Sequence, residues 1–263
     1  MKNITIYKER MAYTMTRQEK LFFLDEVNLQ NYDYIIDFGG ANGRLIFEVQ
    51  RNVDFADTTK FFIVDKNPEM ESEYPLKNCQ YVRSLDELQQ HKLYGRVAII
   101  FSSVLHECSD SDVDEIANFC QEKCNLVIAR DMFFECEDKE SFEQYENTPV
   151  LNKIRSNPIW QRMFEDIKAK GKSAKETIYE FFLKYEYVEN WETEVCEDYF
   201  SNGIEKLKNK LNGWKTLVDF NYILPYKLQK VKEDFGVNLT NTTHKELILK
   251  KDSLKYCLEV NDD

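Results

Sequence analysis

The stretch Tyr34-Ile35-Ile36-Asp37-Phe38-Gly39-Gly40-Ala41-Asn42-Gly43-Arg44-Leu45 constrains what this chain can fold into more than any other. Ile35, Ile36 and Phe38 are β-branched or aromatic and suit a central strand. Asp37 brings a carboxylate to the end of that strand. Gly39, Gly40 and Gly43, three glycines in five positions, let the backbone turn sharply and let a ligand come close to it. Leu45, Ile46 and Val49 then recur at helical spacing, which predicts a helix over about residues 43–53. A turn outside the carboxyl end of a parallel strand is where open α/β sheets bind nucleotides, although the same residues also make a tight strand-to-helix turn that holds nothing.

Spacing separates the nucleotide classes. Aligned on Gly39, the dinucleotide fingerprint G-x-G-x-x-G meets Ala41 at its second glycine and Arg44 at its third. The third glycine lets helix pack on strand, which Arg44 does not allow. A G-x-x-x-x-G-K-[ST] phosphate cradle is also missing from the sequence. What remains is D-x-G-x-x-x-G. The next predicted strand, residues 60–65, again ends in an acid, Asp65, followed by Lys66-Asn67-Pro68. An acid in that place accepts hydrogen bonds from both ribose hydroxyls of an adenosine; it also serves as a helix cap or an exposed turn carboxylate.

Two acid-tipped strands around a glycine turn resemble motif I and the second strand of the class I S-adenosylmethionine (SAM)-dependent methyltransferases, with Ala41 where that family more often has glycine. The resemblance implies an α/β, Rossmann-like fold: a seven-stranded, mostly parallel sheet with helices on both faces and the last strand antiparallel. It implies SAM as cofactor, with Asp37, Gly39, Gly40, Ala41 and Gly43 as its cradle, Asp65 on the ribose beside Lys66, and Arg83 and Ser84 near the adenine. The family's frequent acid at the adenine loop is not evident here.

The fourth predicted strand, Val97 to Phe101, is a continuous apolar run, as burial on both faces requires. It turns polar at once: Ser102-Ser103-Val104-Leu105-His106-Glu107 resembles the segment that lines the methyl-transfer pocket in several methyltransferases of this class. Ser102 and Ser103 join the expected cofactor set. His106, with Glu107 beside it to hold the imidazole, is the candidate general base, and Asp131 is the reserve. His106 and Glu107 read equally well as the start of a loop, and Arg130-Asp131 as a turn pair after a fifth strand over residues 125–129. A sulfonium methyl is already activated, so the protein has to align an acceptor and exclude water; a hydroxyl or ammonium acceptor needs a base, a neutral ring nitrogen does not.

Elsewhere the sequence predicts a short strand near residues 79–82, a capping box at Ser84 and Glu87, a helix opened by Ser109-Asp110-Ser111-Asp112, a sixth strand over 213–220, a helix from Pro225 to Phe235 with Gly236 past its end, and a seventh strand over 242–250. Residues 4–28 predict one or two helices, from which Tyr7, Arg10 and Arg17 could reach a ligand carboxylate. The resemblance covers residues 30–132 and, more loosely, 213–250. Residues 1–132 and 213–263 are therefore expected to form the core. Between them, residues 133–212 predict a helical insertion after the fifth strand, acting as a lid or as a recognition surface for substrate or partner. Its aromatic residues, Trp160, Tyr179, Phe181, Phe182, Tyr185, Tyr187 and Trp191, either stack on a flat substrate or form the insertion's own core.

A formal charge of −12 argues against a polyanion-binding surface, and the lysines at 168–175 and 206–210 read as solvated helix faces. Seven cysteines without a C-x-x-C pair suggest reduced, mostly buried thiols. A zinc site built from Cys120, Cys124, His106 and Cys108 lacks paired ligand hooks, so no metal is expected. No apolar run is long enough for a signal or a membrane span, so a cytoplasmic protein is expected. Three readings follow. The first is a methyltransferase acting on an N or O acceptor of a small molecule, protein or, less in keeping with the charge, nucleic acid. The second is a non-catalytic SAM-binding module whose insertion binds a protein partner. The third is another nucleoside-dependent Rossmann-like enzyme.

Overall fold

Strands β1 (Tyr34–Phe38), β2 (Lys60–Val64), β3 (Cys79–Val82), β4 (Val97–Ser102), β5 (Leu126–Met132), β6 (Lys215–Tyr222) and β7 (His244–Lys250) form one sheet in the order β3-β2-β1-β4-β5-β7-β6. The computed structural model describes residues 14–67, 74–135 and 141–251; Tyr7, Arg10 and Pro68 lie outside them. β1 to β5 pair in parallel and β7 runs antiparallel to both neighbours. This is the Rossmann-like sheet that the sequence predicts.

Side-chain alternation along each strand feeds two cores. Ile36, Phe62, Ile99 and Phe101 face helices α2 (Leu85–Gln89), α3 (Asp110–Lys123) and α8 (Gly203–Lys210). Ile35, Phe61, Ile63 and Ile100 face α1 (Arg44–Asn52) and the 3-10 turns Phe22–Leu24 and Leu29–Asn31. α3 starts on a full capping box, with Ser109 and Asp112 each accepting from the other's backbone N–H. At α2 the box is half made. The Ser84 hydroxyl accepts from the Glu87 N–H at 3.2 Å, but the Glu87 carboxylate accepts from the Arg83 N–H at 2.7 Å.

Residues 133–212 are helical for most of the described length: α4 (Pro149–Ser156), α5 (Pro158–Lys168), α6 (Ala174–Lys184), α7 (Trp191–Glu194) and then α8. Pro149 and Pro158 occupy first helical positions behind Thr148 and Asn157, whose side chains accept from the first-turn N–H groups. α4 to α7 build a separate core with Val231 and Phe235 of α9 (Pro225–Phe235). Tyr179, Phe181, Phe182, Tyr185 and Trp191 are buried in it. Of the aromatic set, only Tyr187 reaches the cavity described below. α8 behaves differently from the rest: Ile204, Leu207 and Leu211 pack with the sheet against α3.

Two local expectations are corrected. Residues 15–28 form turns and a 3-10 segment rather than a helix. Leu21, Phe22 and Phe23 are buried consecutively on that turn. Arg17 is exposed and pairs with Asp25, and it is not among the residues lining the cavity. The second correction concerns β5, which runs three residues beyond the expected end. β7 continues to pair with it, Arg130 opposite Glu246, Asp131 opposite Lys245 and Met132 opposite His244. Arg130 and Asp131 are thus buried strand residues and not a turn.

Candidate functional site

A cavity of about 830 Å³ opens at the carboxyl ends of β1, β2 and β4 and is roofed by Leu183, Tyr187, Glu197 and Tyr199 of the 133–212 stretch. Asp37, Gly39, Gly40, Ala41, Asp65, Lys66, Arg83, Ser84, Ser102, Ser103, His106 and Glu107 all line it. Gly43 and Asp131 are not among the lining residues, and Asp131 meets the wall through His106.

The glycine turn is shaped by steric necessity. Gly39 has φ +72° and a Cβ there would collide with Val104. Gly43 has φ +77°, and a Cβ would lie 2.6 Å from the Tyr81 hydroxyl. Ala41 adopts φ +45°, a left-handed conformation costly for a residue with a side chain. Its N–H donates to Asp65 Oδ2 at 2.9 Å, and the Asn67 N–H donates to Asp65 Oδ1 at 2.9 Å. Asp65 is thereby fixed against the turn. Each carboxylate oxygen keeps a further lone pair for a ligand hydroxyl.

Asp37 is 1% exposed, and its Oδ2 has no hydrogen-bond partner. Burial pushes its pKa up to about 7, with Lys20 opposing and Asp65 adding to the rise. Lys20, also in the cavity wall, is lowered to about 8 by burial and by Arg130. The Ser102 hydroxyl is a second buried atom without a partner. Orphaned buried polar atoms are expensive, so their alignment on one cavity marks a place for a polar ligand carrying donors.

Lys20 and its neighbour Glu19 escape sequence reading because nothing local marks them. Glu19 accepts from Arg130 at 2.7 Å and from the Tyr222 hydroxyl at 2.9 Å. Arg130 also donates to the Ser103 hydroxyl at 2.9 Å. This buried cluster clamps the segment before β1 over the cavity.

At the other end, His106 sits on the 3-10 turn Leu105–Glu107. Gly203 at the start of α8 lets that turn approach, since a Cβ would strike the Leu105 carbonyl. The carboxylate that orients the ring is Asp131 rather than Glu107: Nδ1 lies 2.7 Å from Asp131 Oδ1, and the His106 N–H donates to Asp131 Oδ2 at 3.1 Å. Nε2 faces Glu197 Oε2 at 3.7 Å and Glu107 Oε1 at 4.0 Å. Burial would lower the imidazole's pKa, but Asp131, Glu197 and Glu107 override it and raise it to about 10. Asp131 is held below the usual carboxylate range by the same pairing, against the effect of its burial. The ring therefore carries a proton at neutral pH. Glu197 and Tyr199, whose ring meets His106 edge-on at 5.2 Å, come from far along the chain, and no spacing in the sequence links them to it.

Of the described cysteines, only Cys108 lines the cavity. Cys120 and Cys124 are buried in the sheet core, and Cys108 donates to the Val104 carbonyl. Among the described residues, no helix is long and apolar enough to cross a membrane.

No protein-family model and no curated protein matches the sequence. Solved structures do match. A SAM-dependent methyltransferase from Archaeoglobus fulgidus aligns with a TM-score of 0.50 at 9% identity, over 94% of this chain and 98% of that one. Human N-acetylserotonin methyltransferase in complex with SAM aligns at 0.44 and 11%, and a methyltransferase of calicheamicin biosynthesis in its SAH-bound form at 0.46 and 11%. The chain spans 56% of the length of each of these two. The fold is that of the class I SAM-dependent methyltransferases.

Proposed function

We propose that the chain is a SAM-dependent methyltransferase that moves a methyl group to an N or O acceptor, with a small molecule or a protein favoured over long nucleic acid by the charge of −12. One observation carries the reading: Asp37 on β1 and Asp65, just past the end of the neighbouring parallel β2, flank a glycine turn at one cavity, and Asp37 Oδ2 is buried there without a hydrogen-bond partner. The residues present suit the cofactor. Asp65 would accept from the ribose hydroxyls, Asp37 would receive a cationic donor, and the Gly39–Gly43 turn would admit the ligand's body. Arg83 and Ser84 would lie near the base, with Lys66, Ser102 and Ser103 completing the wall.

When bound, SAM supplies an activated methyl on a sulfonium. The chain then has to position the acceptor and handle its proton. The roof formed by Leu183, Tyr187 and Tyr199 would exclude water. His106 is the group placed to hold or accept the acceptor's proton at Nε2, with Asp131 fixing the ring from behind. Asp131 first, with Glu197 and Glu107 adding to it, keeps that ring protonated, so Nε2 must give up its own proton before it accepts another. Glu197 is part of the 133–212 stretch, so acceptor entry and proton handling would be linked.

Incubation with SAM and panels of amines, phenols, peptides and nucleosides, scored by S-adenosylhomocysteine release, tests the activity. Turnover with at least one class, lost in Asp65→Ala, supports the reading. SAM binding without turnover on any class would leave a binding module in its place.

A further inference from the structure

We propose that His106, Glu107 and Glu197 form a divalent transition-metal site at the roofed end of the cavity. Their ligand atoms, His106 Nε2 and one carboxylate oxygen from each glutamate, lie within 4.8 Å of one another. Nε2 is 4.0 Å from Glu107 Oε1 and 3.7 Å from Glu197 Oε2. A cation bound at about 2.0–2.2 Å would bring such donors to roughly 3–3.5 Å of each other. Closing to that distance falls to the two glutamates. Glu107 is half-exposed and Glu197 lies at the cavity wall, so both have room to adjust.

The histidine, by contrast, is already set. It is buried, and Asp131 holds it through both Nδ1 and the backbone N–H. A carboxylate on the far nitrogen of a metal-ligating imidazole fixes its tautomer and aims the other nitrogen outward. Here that nitrogen points at the two glutamates.

Charge points the same way. Asp131, Glu107 and Glu197 surround one imidazole, so carboxylates outnumber cations within the cluster itself, with Lys20 acting on Asp131 from outside it. Lys66 is the cation that acts on Glu107. The buried Lys184 serves the Glu197 backbone carbonyl at 2.6 Å and Glu180 at 2.7 Å. A divalent ion displacing the proton from Nε2 removes more of the excess than the proton does. One imidazole and two carboxylates suit Mn²⁺, Fe²⁺ or Zn²⁺ better than Mg²⁺ or Ca²⁺. The cysteine pattern gave no sign of such a site, because one ligand comes from a separate stretch of chain. Binding of the ion stands apart from the proposed methyl transfer. If that reading holds as well, a metal here would act as a Lewis acid toward an oxygen acceptor, and acceptor activation would pass from the imidazole to the ion.

The test is a titration of the ligand-free, metal-stripped protein with MnCl₂, with free Mn²⁺ read by electron paramagnetic resonance and no SAM present. One Mn²⁺ per chain is expected, weakened at least tenfold by Glu107→Gln and by Glu197→Gln and unchanged by Glu122→Gln on the outer face of α3. Zn²⁺ added to ¹⁵N-labelled protein is expected to shift the His106 Nε2 resonance. Circular dichroism melts confirm that each variant is folded. No binding up to about 1 mM Mn²⁺, or binding that persists unchanged in the Glu107→Gln/Glu197→Gln double variant, overturns the site. Neither result depends on whether SAM binds, so the two proposals fail separately.

Discussion

Asp37→Asn is expected to change how stability depends on pH, and the size follows from burial. The folded carboxyl titrates near 7 against an ordinary 3.8. A carboxyl raised on folding binds its proton more tightly in the folded state than in the unfolded chain. The stability it permits is full below about pH 4, falls as pH rises through 4–7, and stays lost above 7. About three pH units at 1.36 kcal/mol each make this roughly 4 kcal/mol. The figure is an upper bound, since Lys20 lies close enough to relieve part of it. Asparagine has the same shape and no charge, so the gap between variant and parent should widen in the variant's favour by several kcal/mol between pH 4.5 and 8. Urea unfolding of both proteins at pH 4.5, 6 and 8 measures it. Glu246, also raised to about 7, titrates equally in both and cancels in the difference. Two profiles that stay parallel within about 0.5 kcal/mol would refute the claim that Asp37 is a buried carboxylate lacking a donor. Saturating SAM should shrink the gap, because a cationic donor at Asp37 favours its charged form.

Other expectations concern the turn and the clamps. Ala41→Gly removes a left-handed alanine and should stabilise the protein by about 1 kcal/mol in thermal or urea melts, while leaving SAM affinity intact. Gly39→Ala should cost about 1–3 kcal/mol from backbone strain alone, with further loss from the collision with Val104, and should lower SAM affinity in calorimetry. Arg130→Met strands the buried Glu19 carboxylate and should destabilise by about 3–5 kcal/mol, with earlier proteolytic cleavage in residues 14–28. Glu180→Gln should be similarly costly in urea melts, since Lys170, Lys172 and Lys184 all converge on that fully buried carboxylate.

The central strands were legible in the sequence because burial on two faces demands apolar runs, which the 61–64 and 97–101 stretches carry and which Asp37 alone interrupts in 34–38. The helix from Pro225 to Phe235 was legible to the residue because proline and glycine punctuate its ends. The end of β5 was not: Arg130 and Asp131 look like turn residues until β7, over a hundred positions later, supplies partners for their backbone. In the same way Glu107 looks like the companion of His106 because it is next in sequence, whereas the turn of the backbone gives that place to Asp131. The side chains that wall the cavity from outside the sheet edge, Lys20, Glu197 and Tyr199, lie in segments whose local pattern reports only helix, turn or packing. Tertiary placement alone gives them a role.

The central claim is that two acid-tipped strands and a glycine turn hold the adenosine of SAM. Calorimetric titration of the protein with SAM tests it most directly. One molecule should bind per chain, and Asp65→Ala, confirmed as folded, should weaken binding by about 1.5–3 kcal/mol, the worth of hydrogen bonds to a charged group. Absence of binding at millimolar SAM, or affinity unmoved by Asp65→Ala, would contradict the account.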